Sequence, residues 1–99
     1  MEKYKAKIFW IRAEDGGRTT IPQGDKYAPI IKVLGEAYFE EFWSAFVVNV
    51  KYIGENITEA TIEYLSELAP NNLRENVEFE LYEGAKNVAK GTIVHRIID

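Results

Sequence analysis

Cysteine is absent from the 99 residues, so the chain forms no disulfide and offers no thiolate for catalysis or metal binding. Histidine occurs once, at His95, and a single imidazole without thiolates does not furnish a tetrahedral zinc site of the usual kind. A Ser-His-Asp arrangement would have to draw on Ser44 or Ser66, and neither sits in a Gly-x-Ser-x-Gly elbow. No Gly-x-x-x-x-Gly-Lys-Ser/Thr phosphate cradle occurs, so no nucleotide and no other cofactor is expected, and the chain reads as a non-enzyme. Apolar runs stay well short of the roughly 18 residues that span a bilayer. The opening Met1-Glu2-Lys3-Tyr4-Lys5 does not lead into a signal peptide, which makes the cytoplasm the expected compartment. Positive charge is also scarce, with 12 Lys and Arg against 16 Asp and Glu. A net charge of −4 disfavours an extended nucleic-acid footprint, because phosphate binding draws on clustered Lys and Arg.

What is abundant is strand-forming sequence broken by turns, with no linker or repeat inside it, so residues 1–99 read as one domain. From Tyr4 the chain alternates, Tyr4, Ala6, Ile8 and Trp10 against Lys5, Lys7, Phe9 and Ile11. This predicts a strand over Lys5–Arg12, polar at its start and buried on both faces later. Ala13 to Gly17 turns the chain, with Gly16 or Gly17 expected in the left-handed region. Pro22 and Gln23-Gly24-Asp25 break it again before a strand at Ile30–Leu34. Phe46–Ile53 is rich in β-branched and aromatic residues and reads as a third strand, begun as early as Phe42. Val77–Tyr82 alternates Val77, Phe79 and Leu81 against Glu78, Glu80 and Tyr82, and Val88–Val94 closes the set. Ile57–Leu68 is ambiguous. Ile57, Thr61, Leu65 and Leu68 form a helical stripe behind a capping-box-like Asn56 and Glu59, whereas Thr58, Ala60, Ile62 and Tyr64 alternate as a strand over Thr58–Tyr64 does. Frequent short strands with turns between them favour an all-β barrel or sandwich.

Gly35 to Glu41 reads as an acidic, aromatic loop. Tyr38, Phe39 and Phe42 beside Glu40 and Glu41 form the candidate protein interface, because exposed aromatic side chains anchor interfaces. The alternative is that these rings cap an open end of the barrel. Arg18, Lys86, Lys90 and Arg96 either gather into a small basic patch or are scattered solubilising charge. Glu59, Glu63, Glu78, Glu80 and Glu83 read as solvated strand faces rather than as a paired acid-base site.

Two blocks carry a family resemblance. Asp15-Gly16-Gly17-Arg18, then Thr20, Pro22, Tyr27 and Pro29, match the opening of the last domain of the elongation factor Tu family. Pro70, Leu73, Glu75, Phe79, Glu83, Gly84, Val88 and Gly91 match its closing block without gaps, and Gly54-Glu55-Asn56 resembles its Pro-Gly-Asp-Asn turn. The chain thus resembles the C-terminal β-barrel domain of that family standing alone. The resemblance implies a six-stranded antiparallel β-barrel like the third domain of elongation factor Tu, and it makes Ile57–Leu68 a strand. It also implies a small binding module that engages a protein partner, with an RNA-binding (tRNA-binding) accessory of translation as the alternative. On that alternative the contacts are Arg18, Gly84 and Lys86. Departures from the family bear on it: Ala69 stands where a basic residue helps contact the tRNA T-stem, Tyr82 replaces an Arg, and Ala85 replaces the second Gly.

Overall fold

Side chains of alternate strand residues point to opposite faces, and in this chain the alternating apolar sets all find a common interior. The computed structural model describes residues 2–24, 26–35, 42–69 and 73–98. Six strands form: β1 (Lys3–Trp10), β2 (Ile30–Val33), β3 (Trp43–Gly54), β4 (Ile57–Tyr64), β5 (Glu78–Glu83) and β6 (Lys86–Ile97). They pair antiparallel in the order β1-β4-β3-β2-β5-β6, with β6 returning to β1, so that one sheet closes into a ring. Among the described residues no helix is long and apolar enough to cross a membrane.

The core comes from the inward face of every strand. Tyr4, Ala6, Ile8 and Trp10 come from β1, Ile31 from β2, and Ala45 and Val47 from β3. Ala60 and Ile62 of β4, Phe79 and Leu81 of β5, and Val88, Ala89 and Ile93 of β6 complete it. Each fully buried Ile, Leu or Phe contributes about 1.5–3 kcal/mol. A narrow ring fills only if large and small residues alternate across it. Phe79 shows how tightly: a Cβ on Gly91 would lie 2.3 Å from its Cζ, so the ring occupies the space a side chain on β6 would need.

The β2–β3 junction is the shortest ladder, Ile30 opposite Ser44 and Ile31 opposite Trp43. The chain before β2 extends it, since the Ala45 N–H donates to the Pro29 carbonyl (3.0 Å) and the Val47 N–H to the Tyr27 carbonyl (2.9 Å). The proline sits where only its carbonyl is required.

The ambiguous segment is strand β4 as far as Tyr64, paired with β1 on one side and β3 on the other, and residues 65–68 leave the strand in a bend and turn. Asn56 is not a helix cap. It takes a positive φ of 58° in the β3–β4 turn, and its carbonyl accepts the Trp10 N–H (2.8 Å). Glu59 reaches Lys5 across the ladder instead (3.3 Å). Ladders on both sides supply the backbone partners that a helix would have supplied within itself.

Expected strand limits shift outward in the longer elements: β3 starts at Trp43, and β6 runs from Lys86 to Ile97, beyond Val94. β1 instead starts earlier and stops at Trp10, because Arg12 leads into a 3-10 turn at Ala13–Asp15. The burial of β1 on both faces is corrected at Phe9, which is 43% exposed. In a ring of one sheet only the inside is covered, so the outward residue of each strand meets solvent whatever its type.

Candidate functional site

The turn after β1 and the hairpin between β5 and β6 are far apart in sequence and meet at one end of the ring. The Gly16 N–H donates to the Ala13 carbonyl (3.1 Å) and the Gly17 N–H to the Arg12 carbonyl (2.9 Å), and Gly16 carries a φ of 92°. This tight turn delivers Arg18. Its Nη1 makes an ion-paired hydrogen bond to Glu83 Oε2, and its Nε donates to the Thr20 carbonyl (2.9 Å). The Tyr27 hydroxyl donates to the same Glu83 oxygen (2.6 Å), and the Arg18 guanidinium lies over the Tyr27 ring at 5.0 Å. Tyr27 packs in turn on Trp10 (6.0 Å between centroids), whose Nε1 donates to the buried Thr58 Oγ1 (2.8 Å). A chain of contacts thus runs from the surface ion pair into the core.

The electrostatics follow from this geometry. Burial alone would raise the Glu83 carboxyl, but the hydrogen bonds from Tyr27 and Arg18 and the charges of Arg18 and Lys86 outweigh it and hold its pKa below the ordinary value. Burial, then the bond to Glu83, push the Tyr27 phenol well above its ordinary range. Burial also works against the Arg18 charge, and Glu83 more than compensates. A neutral phenol, a fixed carboxylate and a fixed guanidinium form a closed set with no proton to give at neutral pH. The cluster ties the turn to the hairpin. It is not an acid-base pair. Glu83 is therefore ion-paired and partly buried, not the solvated strand carboxylate expected from its charge.

Of the three candidate RNA contacts, Arg18 is engaged by Glu83, Gly84 takes a positive φ of 62° in the β5–β6 hairpin, and Lys86 is exposed beside it. The wider basic patch does not assemble. Arg96 lies near the far end of β6, where it pairs with Glu2 (2.8 Å). Arg12 is likewise occupied, by Glu55 (3.2 Å) and Glu14 (3.6 Å). A cavity of about 110 Å³ lies between these arginines, lined by Trp10, Arg12, Arg18, Thr19, Thr20 and Asn56, and acidic partners hold both guanidinium groups. His95 is exposed, with its Nδ1 3.0 Å from the Arg96 carbonyl. Among the described residues no group of three or more His, Asp or Glu side chains is placed to hold a metal ion.

Within the candidate protein interface, Phe42 leads into β3 and is 52% exposed. Its ring meets Tyr82 edge-on (6.0 Å, 85°), and the Lys32 ammonium stands 5.6 Å from its centroid. Tyr38, Phe39, Glu40 and Glu41 lie outside the described residues. The next ring, Trp43, is partly buried and packs against the core, whereas Phe42 is exposed. Sequence reasoning missed Lys32 and Tyr82 as companions of Phe42. Lys32 lies between inward Ile31 and Val33, which makes it outward, and Tyr82 shares the face of Glu78 and Glu80. The β2–β5 ladder, in which Ile30 lies opposite Tyr82 and Lys32 opposite Glu80, brings the two together.

No family model matches the chain, and no curated protein does.

Proposed function

We propose that the chain is a small, non-enzymatic binding module of the kind found at the C-terminus of the elongation factor Tu family, and that it engages a protein partner through its outer surface. The supporting observation is Phe42. A large ring left half-exposed, yet braced edge-on by Tyr82, is preorganised, so a partner gains its burial at little cost in conformational entropy. The interior offers no competing site, since the ring is filled by its own side chains and the perturbed ionisable groups are spent on one another. The family resemblance draws support from Arg18 of the first block meeting Glu83 of the second, which gives both blocks a common structural reason to exist. Work in the cytoplasm, without nucleotide, belongs to the same reading. The RNA alternative is weakened by the engagement of Arg18.

The test is affinity capture from nuclease-treated lysate with wild type and Phe42→Ala, melting curves being compared. One specific protein should be retained by the first and lost by the second at unchanged stability. Capture indifferent to Phe42→Ala, or abolished by nuclease, rejects the reading.

A further inference from the structure

The outward residues of β1, β6, β5 and β2 form a continuous row across the ring. Phe9 lies opposite Lys90, Lys90 opposite Glu80, and Glu80 opposite Lys32. A carboxylate between two lysines would ordinarily pair with one of them. Here both Glu80 oxygens are taken by neutral donors, Oε1 by the Tyr82 hydroxyl and Oε2 by Asn87 Nδ2, each at 3.1 Å. Lys32 and Lys90 have no carboxylate within ion-pair distance among the described residues, and Lys7 has none either. Lys7 and Lys32 stand instead over exposed rings, 5.3 Å from the Phe9 centroid and 5.6 Å from that of Phe42. Beside Phe9 and Lys90 runs a groove of about 350 Å³, lined also by Leu34, Glu78 and Thr92. In an acidic chain of net charge −4, Lys7, Lys32 and Lys90 thus stand on neighbouring outward positions without a carboxylate partner among the described residues.

We propose that this face receives an extended, acidic segment of a partner protein, its carboxylates on Lys32 and Lys90 and an apolar side chain in the groove beside Phe9. The proposal rests on the protein-binding reading above and specifies the partner's chemistry. Lys90 and Lys32 are two strands apart, about 10 Å, which carboxylates two to four residues apart in an extended chain bracket at about 3.3 Å per residue. Charge complementarity selects an anion, and the face itself selects a peptide over a nucleic acid. Bases stack on open aromatic faces, whereas the two rings here already carry an ammonium. Glu78 and Glu80 interrupt the positive row, which a peptide meets with a neutral residue and a phosphate backbone cannot.

The experiment measures fluorescence anisotropy of three labelled probes on the intact chain: a peptide alternating Glu and Phe, the same peptide with Gln for Glu, and oligouridine of matching charge. The acidic peptide should bind best and weaken with added salt. Lys32→Glu with Lys90→Glu should weaken it about tenfold, since each exposed charge contributes up to about 1 kcal/mol. Lys3→Glu with Lys51→Glu, an equal charge change elsewhere, should stay within about twofold, because salt screens exposed charges beyond about 10 Å. The pair of alanine variants at Lys32 and Lys90 repeats the test should the reversals unfold the chain. Equal binding of the Glu and Gln peptides, indifference to the Lys32 and Lys90 changes, an equal effect of the control pair, or tighter binding of oligouridine each overturns the proposal. A captured protein that depends on Phe42 but ignores Lys32 and Lys90 rejects the acidic segment and keeps the binding module.

Discussion

Gly16 and Gly17 stand side by side and are required for different reasons, so alanine at each should cost different amounts. Gly16 has a φ of 92°, and a Cβ built there has nothing within 4 Å. Gly16→Ala therefore meets only the left-handed penalty, about 1–2 kcal/mol. Gly17 has no unusual φ, but its Cβ would fall 1.8 Å from the Ile11 carbonyl oxygen and 2.4 Å from the carbonyl carbon. Ordinary non-bonded contacts lie at about 3.5–4.0 Å, and the obstacle is backbone rather than a side chain that can swing aside. The turn must open, which sacrifices the Gly17 N–H bond to the Arg12 carbonyl and disturbs the delivery of Arg18 to Glu83. One hydrogen bond at about 1 kcal/mol plus overpacking at about 1–3 kcal/mol gives about 2–4 kcal/mol for Gly17→Ala. At about 4–8 °C per kcal/mol for a domain of this size, the two variants separate clearly in melting temperature. Urea unfolding supplies the free energies. Gly17→Ala as stable as wild type, or less damaging than Gly16→Ala, would refute this account of the turn.

Trp10→Phe keeps the ring in the core but leaves Thr58 Oγ1 buried without its donor, which should cost about 1–3 kcal/mol in urea unfolding. Because the Glu83 pKa is lowered on folding, its contribution to stability is fully present above the ordinary value of 4.5 and is lost as pH falls through the lower folded value. Glu83→Gln should accordingly be less stable than wild type at neutral pH, with the gap narrowing below about pH 4.5, measured as urea midpoints against pH. GTP should neither raise the melting temperature nor be hydrolysed, and calorimetric binding in the micromolar range would contradict the absence of a phosphate cradle.

Local pattern in this chain favoured an all-β fold, and the regions of five strands followed from alternation, β-branched and aromatic composition and turn residues, which depend only on neighbours along the chain. Alternation also made Lys32 an outward residue. It left Ile57–Leu68 open, because a short segment with apolar residues at both spacings satisfies either period. Ladders from β1 and β3, contributed by residues far away in sequence, decided that segment. The same holds for Glu83, whose charge says surface; its partners Arg18 and Tyr27 come from a turn and a pre-strand segment that only ring closure brings to the hairpin. Phe9 is an apolar residue that the sequence reading buried, and it is exposed because a single closed sheet covers one face of each strand. The sequence by itself determined which residues alternate and where the chain turns. Tertiary structure decided which face of each strand is inside, which charges cancel and which lysines are left over, since all three depend on neighbours that pairing alone supplies.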